Sequence, residues 1–282
     1  MRILKFISAL LPLSVKQFFY RIPWLANAVR SLLNHALPKG LTEITISGGL
    51  IKGYRMSLDL QQEKDYWLGT YEIDLQRALR DFIKPAMIAY DVGANVGYIS
   101  LMFAHLVWET GKVYAFEPYP QNLERLRKNI ALNKLSEQIQ VIPSAVADRS
   151  GEMEFWIGPS DDTGKLSGSA GRTNFVYKEH IYVPAISLDD FVFSQAYPAP
   201  NVIKMDIEGG EILALRGMQR LLAEYRPLIF LEVHGDQCAQ AAWDVLLPFG
   251  YSLKKMHHGY PIITNMAQMP WKSYVIAAPR AV

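Results

Sequence analysis

Asp91, Gly93 and Gly97 stand in the run Tyr90-Asp91-Val92-Gly93-Ala94-Asn95-Val96-Gly97-Tyr98, and Glu117 follows 20 positions after Gly97. An apolar stretch that breaks at glycines before a second apolar stretch reads as a strand turning into a helix. Glycine at such a turn lets the backbone come close to a ligand. An acid at the tip of the next strand can hold both hydroxyls of a ribose. Together they point to a nucleoside-containing ligand on an α/β sheet. A second set lies downstream. Asp206, Glu208 and Glu211 fall within six residues, and Glu232 and His234 end a later apolar run. Asp206 is expected at a strand tip beside the crevice where open sheets bind ligands. Carboxylates at a helix start are also favoured by the helix dipole, which accounts for Glu211 better than for Asp206. His234 is the candidate base, since imidazole ordinarily titrates near neutrality, and Asp206 and Glu208 are the candidate catalytic carboxylates beside it. Asp206, Glu232 and His234 also have the ligand types of a divalent-metal site, but no metal is assigned.

Which nucleoside ligand is meant turns on residue 95. A dinucleotide site needs Gly-x-Gly-x-x-Gly, whose middle glycine admits the pyrophosphate. Here that position is Asn95. The spacing Asp-x-Gly-x-x-x-Gly instead suits S-adenosylmethionine, whose amino acid end carries no phosphate. The expected contacts are Asp91, Gly93, Ala94, Asn95, Gly97 and Tyr98 in the turn, Glu117 and Pro118 at the next strand tip, Ser144 and Ala145 after the third strand, and Asp206. A nicotinamide-dependent oxidoreductase stays as the alternative.

The elements that must position these groups follow from hydrophobic periodicity. Residues 44–60 read as a hairpin and 71–83 as a helix. From residue 86 strands and helices alternate: 87–91, 113–116, 139–142, 202–205 and 228–233 are strands, with helices between them. One helix is expected after 205, with Ile212, Leu215, Met218 and Leu222 on one face. Two final strands, 251–255 and 274–277, have no helix between them and are expected to pair antiparallel at one edge. Such alternation implies a mostly parallel sheet covered on both faces. It is interrupted at 151–186, where two alternating strands flank a Gly/Ser/Asp-rich stretch, 158–174, long enough to be a substrate lid.

At 282 residues and 50% hydrophobic composition, the chain can bury a sizeable core. Cys238 is the one cysteine, which excludes an internal disulfide and a thiolate zinc site and fits a reducing, cytoplasmic compartment. Net charge is +2, but residues 1–42 hold six bases and no acid, whereas the other 23 bases meet 27 acids. Residues 1–40 are too interrupted for a membrane span. They read as two basic amphipathic helices, either a cap packed on the domain or a peripheral membrane contact through residues 1–38. No basic patch or appended module suggests nucleic acid.

Five blocks carry a resemblance over about residues 66–255: Gly69-Thr70-Tyr71-Glu72, the turn from Asp91 to Tyr98, Phe116-Glu117-Pro118, Ile203-Lys204-Met205-Asp206-Ile207-Glu208-Gly209-Gly210-Glu211, and Leu231-Glu232-Val233-His234. On these the chain resembles the FkbM-type methyltransferases, which use S-adenosylmethionine. The resemblance implies a Rossmann-like α/β fold with a seven-stranded, mostly parallel sheet and one antiparallel edge strand. It implies O-methylation of a sugar, glycan or other small-molecule or lipid-linked hydroxyl. It also implies that Glu72, beside Tyr71, closes over the methionine end of the cofactor. The organisation expected is an N-terminal segment at 1–40, a hairpin and helix at 41–85, and a methyltransferase domain at 86–282. A non-catalytic membrane-docked module remains the reading if no cofactor binds.

Overall fold

A computed structural model describes residues 39–158, 164–170, 177 and 179–280. The helices expected within residues 1–40, and the membrane contact expected of residues 1–38, lie outside the described residues. Among the described residues, no helix is long and apolar enough to cross a membrane.

The chain enters through an antiparallel hairpin, β1 (Leu41–Thr45) and β2 (Arg55–Asp59), and two helices, α1 (Lys64–Leu68) and α2 (Ile73–Phe82). It then builds β3 (Ile88–Val92), α3 (Tyr98–Val107), β4 (Lys112–Phe116), α4 (Pro120–Leu132) and β5 (Ile139–Ile142). An inserted sheet follows, made of β6 (Ala145–Val146), β7 (Gly151–Ile157), β8 (Lys165–Leu166) and β9 (Glu179–Ile186). The main sheet resumes with β10 (Val202–Met205), α5 (Glu211–Arg216), α6 (Gln219–Glu224), β11 (Leu228–His234), α7 (Asp236–Leu246), β12 (Tyr251–Lys255) and β13 (Lys272–Pro279).

The main sheet has seven strands in the order β12-β13-β11-β10-β3-β4-β5. Its single antiparallel strand is β13, which stands one place in from the edge expected for it, between β11 and β12. The reason is length: residues 256–271 give the chain after β12 enough reach to turn back and fill the slot beside β11. From β3 the chain first adds β4 and β5 on one side, then crosses to add β10 and β11 on the other. The carboxyl ends of β3 and β10 therefore flank the topological switch point, where ligands bind in open sheets.

A second difference concerns the helix expected after residue 205. It is two helices, broken at Gly217, whose amide caps α5 on the carbonyls of Leu213 and Ala214. A Cβ at 217 would collide with the Ala147 carbonyl, so the helix pair approaches the inserted sheet only through glycine. The apolar face survives the break, with Leu215, Met218 and Leu222 all buried.

Each face of the sheet carries its own core. One packs the hairpin, α2, α3 and α4 around Trp67, Phe103 and Leu126. The other packs α5–α7 around Tyr90, Phe116 and Phe191. Buried Asn129 of α4 ties the first core together: its Oδ1 accepts from the Ser57 amide at 2.7 Å and its Nδ2 donates to the Val96 carbonyl at 2.8 Å. The hairpin is thereby fastened to the glycine turn.

Candidate active site

A cavity of about 750 Å³ opens at the carboxyl ends of β3, β4 and β10. One wall is the turn after β3. Gly93 has φ +83°, and a Cβ there would collide with the Asp206 carbonyl, so this closest approach of β3 to β10 requires glycine. Gly97, at φ +91°, starts α3 and abuts Leu126. Asn95 takes the left-handed region at φ 49°. The amides of Gly93 and Ala94 donate to the Phe116 carbonyl, that of Gly97 to the Ala94 carbonyl, and that of Asn95 to Glu117 Oε2. A phosphate site needs such amides pointing at the ligand. Here they are committed to the protein, which speaks against a pyrophosphate cradle.

Glu117 follows β4 and faces the cavity. Its Oε2 accepts from the Asn95 amide and its Oε1 from the Tyr119 amide, each at 2.9 Å. The carboxylate is thus fixed in orientation, with the Asn122 side chain as a third hydrogen-bond partner. Burial pushes its pKa up to about 7, against the lowering effect of those amides.

Of the residues expected to contact the cofactor, Gly93, Ala94, Asn95, Tyr98, Glu117, Pro118, Ser144, Ala145 and Asp206 line the cavity. Asp91, Gly97 and Glu72 stand behind its wall. Asp91 is fully buried; its Oδ2 accepts from Ser100 Oγ at 2.5 Å, and its Oδ1 has no hydrogen-bond partner. Glu72 begins α2 with φ 44° and makes no capping bond, and burial raises its pKa to about 7. Tyr71, Tyr66 and Tyr98 form the lip in front of it. Tyr66 stacks on Tyr98 at 4.5 Å, and Tyr71 meets both rings edge-on.

The opposite wall is acidic. Asp206, Glu208 and Glu232 line the cavity, while His234 lies behind them, wholly buried. Its Nδ1 is 3.0 Å from Glu211 Oε1, and its Nε2 is 3.2 Å from Glu232, 3.6 Å from Glu208 and 3.8 Å from Asp206. Burial alone would lower the pKa of His234, but Glu211 and Glu232 against its two nitrogens raise it to about 10. The expectation of an accessible base titrating near neutrality is therefore corrected. A ring enclosed by four carboxylates is favoured in its charged form while no ion competes for it, and it does not line the cavity.

Two cations were not singled out from the sequence. Lys204, buried on β10, sits 3.3 Å from Asp206 Oδ2. Burial alone would lower its pKa, but Asp206, Asp91, Glu72 and Glu232 around it raise it above the usual lysine value. Lys272 of β13 pairs with Glu232. Lys204 has a sequence signal, a lysine inside the apolar run before Asp206. Lys272 has none, because only the insertion of β13 beside β11 brings it to the site.

The profile described as "Methyltransferase FkbM domain" matches residues 91–258. The chain is 27% identical over 189 residues to the hexuronic acid methyltransferase AglP of Haloferax volcanii, covering 65% of this chain and 72% of that protein. It is 25% identical over 162 residues to the 31-O-demethyl-FK506 methyltransferase FkbM of Streptomyces tacrolimicus, covering 49% of this chain and 61% of that protein. Among solved structures, a methyltransferase FkbM from Methylobacillus flagellatus aligns with a TM-score of 0.44 and 17% identity, over 77% of this chain and 53% of that one.

Proposed function

The chain belongs to the FkbM methyltransferase family and is a methyltransferase that uses S-adenosylmethionine, and from that premise we propose that it methylates a hydroxyl oxygen of a sugar. The observation that carries the reading is a single cavity with a fixed ribose-type carboxylate, Glu117, on one wall and three further carboxylates on the other. The name of the Haloferax relative, a hexuronic acid methyltransferase, supports the sugar.

The residues present fit the cofactor. The volume is in the range of small-molecule sites, roughly 300–1,000 Å³. The turn leaves no room for side chains at Gly93, and Glu117 presents an oriented carboxylate to the cavity. When bound, S-adenosylmethionine supplies an electrophilic methyl group on a sulfonium sulfur. We assign Glu117 to the ribose hydroxyls, the Gly93–Asn95 backbone and Tyr98 to the methionine side, and Ser144 and Ala145 to the adenine edge. Asp91 and Glu72 place negative charge behind the methionine end and act as positioning residues.

A sugar hydroxyl is a weak nucleophile and needs its proton removed as the oxygen reacts. We assign that role to Glu208. Its carboxylate lines the cavity and is 17% exposed, and its backbone is held at φ 51° in the turn between β10 and α5. Left-handed backbone at a non-glycine residue is a strain that persists where surrounding structure fixes it, often at functional sites. Asp206 stands beside it with a pKa raised by burial. Lys204 keeps this wall from being purely negative.

The test is turnover of isotopically labelled cofactor on a panel of hexuronic acids, neutral sugars and lipid-linked glycans, with the methylated atom located by NMR. A methyl on a sugar oxygen supports the proposal. Turnover only on nitrogen or carbon acceptors would sink it. Glu208→Gln should lower kcat by about two orders of magnitude, with cofactor affinity unchanged.

A further inference from the structure

His234 is a polar side chain with no exposure, and its Nε2 makes no hydrogen bond. That atom points into the carboxylates of Asp206, Glu208 and Glu232, with the 3.2 Å approach to Glu232 Oε1 outside hydrogen-bond geometry. The other ring nitrogen is accounted for. Glu211 Oε1 accepts from the Ile207 amide at 3.1 Å, and Oε2 accepts from the Cys238 thiol at 3.2 Å. Glu211 is thus fixed as an acceptor, and Nδ1–H of His234 donates to it at 3.0 Å. A histidine whose Nδ1–H is anchored on a buried carboxylate, leaving Nε2 turned toward other carboxylates, is the arrangement that orients metal-bound imidazoles.

The spacing agrees. One carboxylate oxygen each of Asp206 and Glu232 and one ring nitrogen of His234 lie within 4.8 Å of one another. Adjacent ligands around an ion with bonds of about 2.1–2.2 Å stand roughly 3 Å apart. Nε2 is 3.2 Å from Glu232 and 3.8 Å from Asp206. The charge agrees as well. Asp206, Glu208, Glu211 and Glu232 converge here against Lys204, Lys272 and the protonated His234, and a divalent cation would take the place of the His234 Nε2 proton, which leaves as the ion binds. Two carboxylates and one imidazole form a donor set that suits Mn²⁺ or Mg²⁺ better than the sulfur-preferring metals.

We propose that Asp206, Glu232 and His234 form a divalent-cation site at the acceptor wall of the cavity, best matched to Mn²⁺. Glu208 lies next to it, open to the acceptor. The ion would polarise the acceptor hydroxyl and lower its pKa, so the role rests on the sugar-methylation reading above. The site itself does not. Lys272 pairs with the same Glu232 oxygen that faces His234, and so its ammonium competes with the ion.

The full chain, stripped with EDTA and titrated with Mn²⁺, should quench the free-ion EPR signal at one ion per chain, and Mg²⁺ should compete. His234→Gln and Glu232→Gln should each weaken uptake by at least about tenfold. Lys272→Met should tighten it, and this variant decides the matter if the first two lose their fold by circular dichroism. No saturable uptake overturns the proposal. So does uptake that is unchanged in folded His234→Gln and Glu232→Gln, or in Lys272→Met. Calorimetry of S-adenosylmethionine on the same stripped protein separates the two readings. Cofactor binding without ion uptake removes the metal site alone, whereas loss of ion-independent cofactor binding would count against the cavity assignment.

Discussion

Each oxygen of Glu117 already accepts one backbone amide, and burial still lifts its pKa to about 7. Only the ionised form can accept from both ribose hydroxyls. Cofactor affinity should therefore be flat above about pH 8 and fall about tenfold per unit well below pH 7, because binding must then expel a proton. Calorimetry across that range checks this, and Glu117→Gln should be weaker and pH-independent. The same shift acts on folding with a definite sign. A carboxyl whose folded pKa lies above its unfolded value of 4.5 favours the folded state most at low pH. Without cofactor, stability should fall by up to ~3 kcal/mol as pH rises from the unfolded to the folded pKa. At Gly93, an alanine would meet the Asp206 carbonyl while held at φ +83°. Gly93→Ala should cost about 2 kcal/mol or more in thermal unfolding and abolish measurable cofactor binding. Gly93 and Glu117 are legible in the sequence because turn chemistry is local. The state of His234 is not, because four acids from two separate segments decide it.

At the level of elements, α4 does more than cover the sheet. Asn129 holds the amide of Ser57 on β2 and the carbonyl of Val96 in the glycine turn. Asn129→Ala would leave both backbone groups buried without partners, at about 1–3 kcal/mol each. We expect a matching loss in denaturant unfolding, with cofactor affinity reduced through the loosened turn. The apolar periodicity of α4 is plain in the sequence, but Asn129 looks like any polar helix residue until the hairpin is seen packed against it. The break between α5 and α6 was equally hidden. A single glycine in a helical pattern is usually tolerated, and only the approach of Ala147 makes Gly217 a stop. The position of β13 depends on how far a 16-residue connection (residues 256–271) travels, which no local pattern encodes.

Across the whole molecule, the side of the cavity we propose for the acceptor is assembled from the least regular parts. Gly164, Lys165, Leu166 and Ser169 of the inserted sheet line the cavity opposite the cofactor turn. Only residues 158 and 164–170 of the 158–174 stretch expected to act as a lid are described. Lys165→Ala should raise the acceptor KM several-fold and leave cofactor affinity unchanged, as steady-state kinetics beside calorimetry would show. The sheet order is legible in outline, since strand-helix alternation permits few topologies. The acceptor is not, because irregular segments carry no period. The β3–β10 pairing has a consequence for how the protein is born. Residues 89–92 pair with 202–205, and the Gly93 turn rests on Asp206. A growing chain completes the turn, Glu117 and Ser144 long before that partner strand exists. Until β10 arrives, β3 offers an unpaired, mostly apolar edge to any neighbouring chain. During synthesis that edge stays open until β10 emerges, and the same strand then brings Asp206 to complete the wall of the proposed cofactor site.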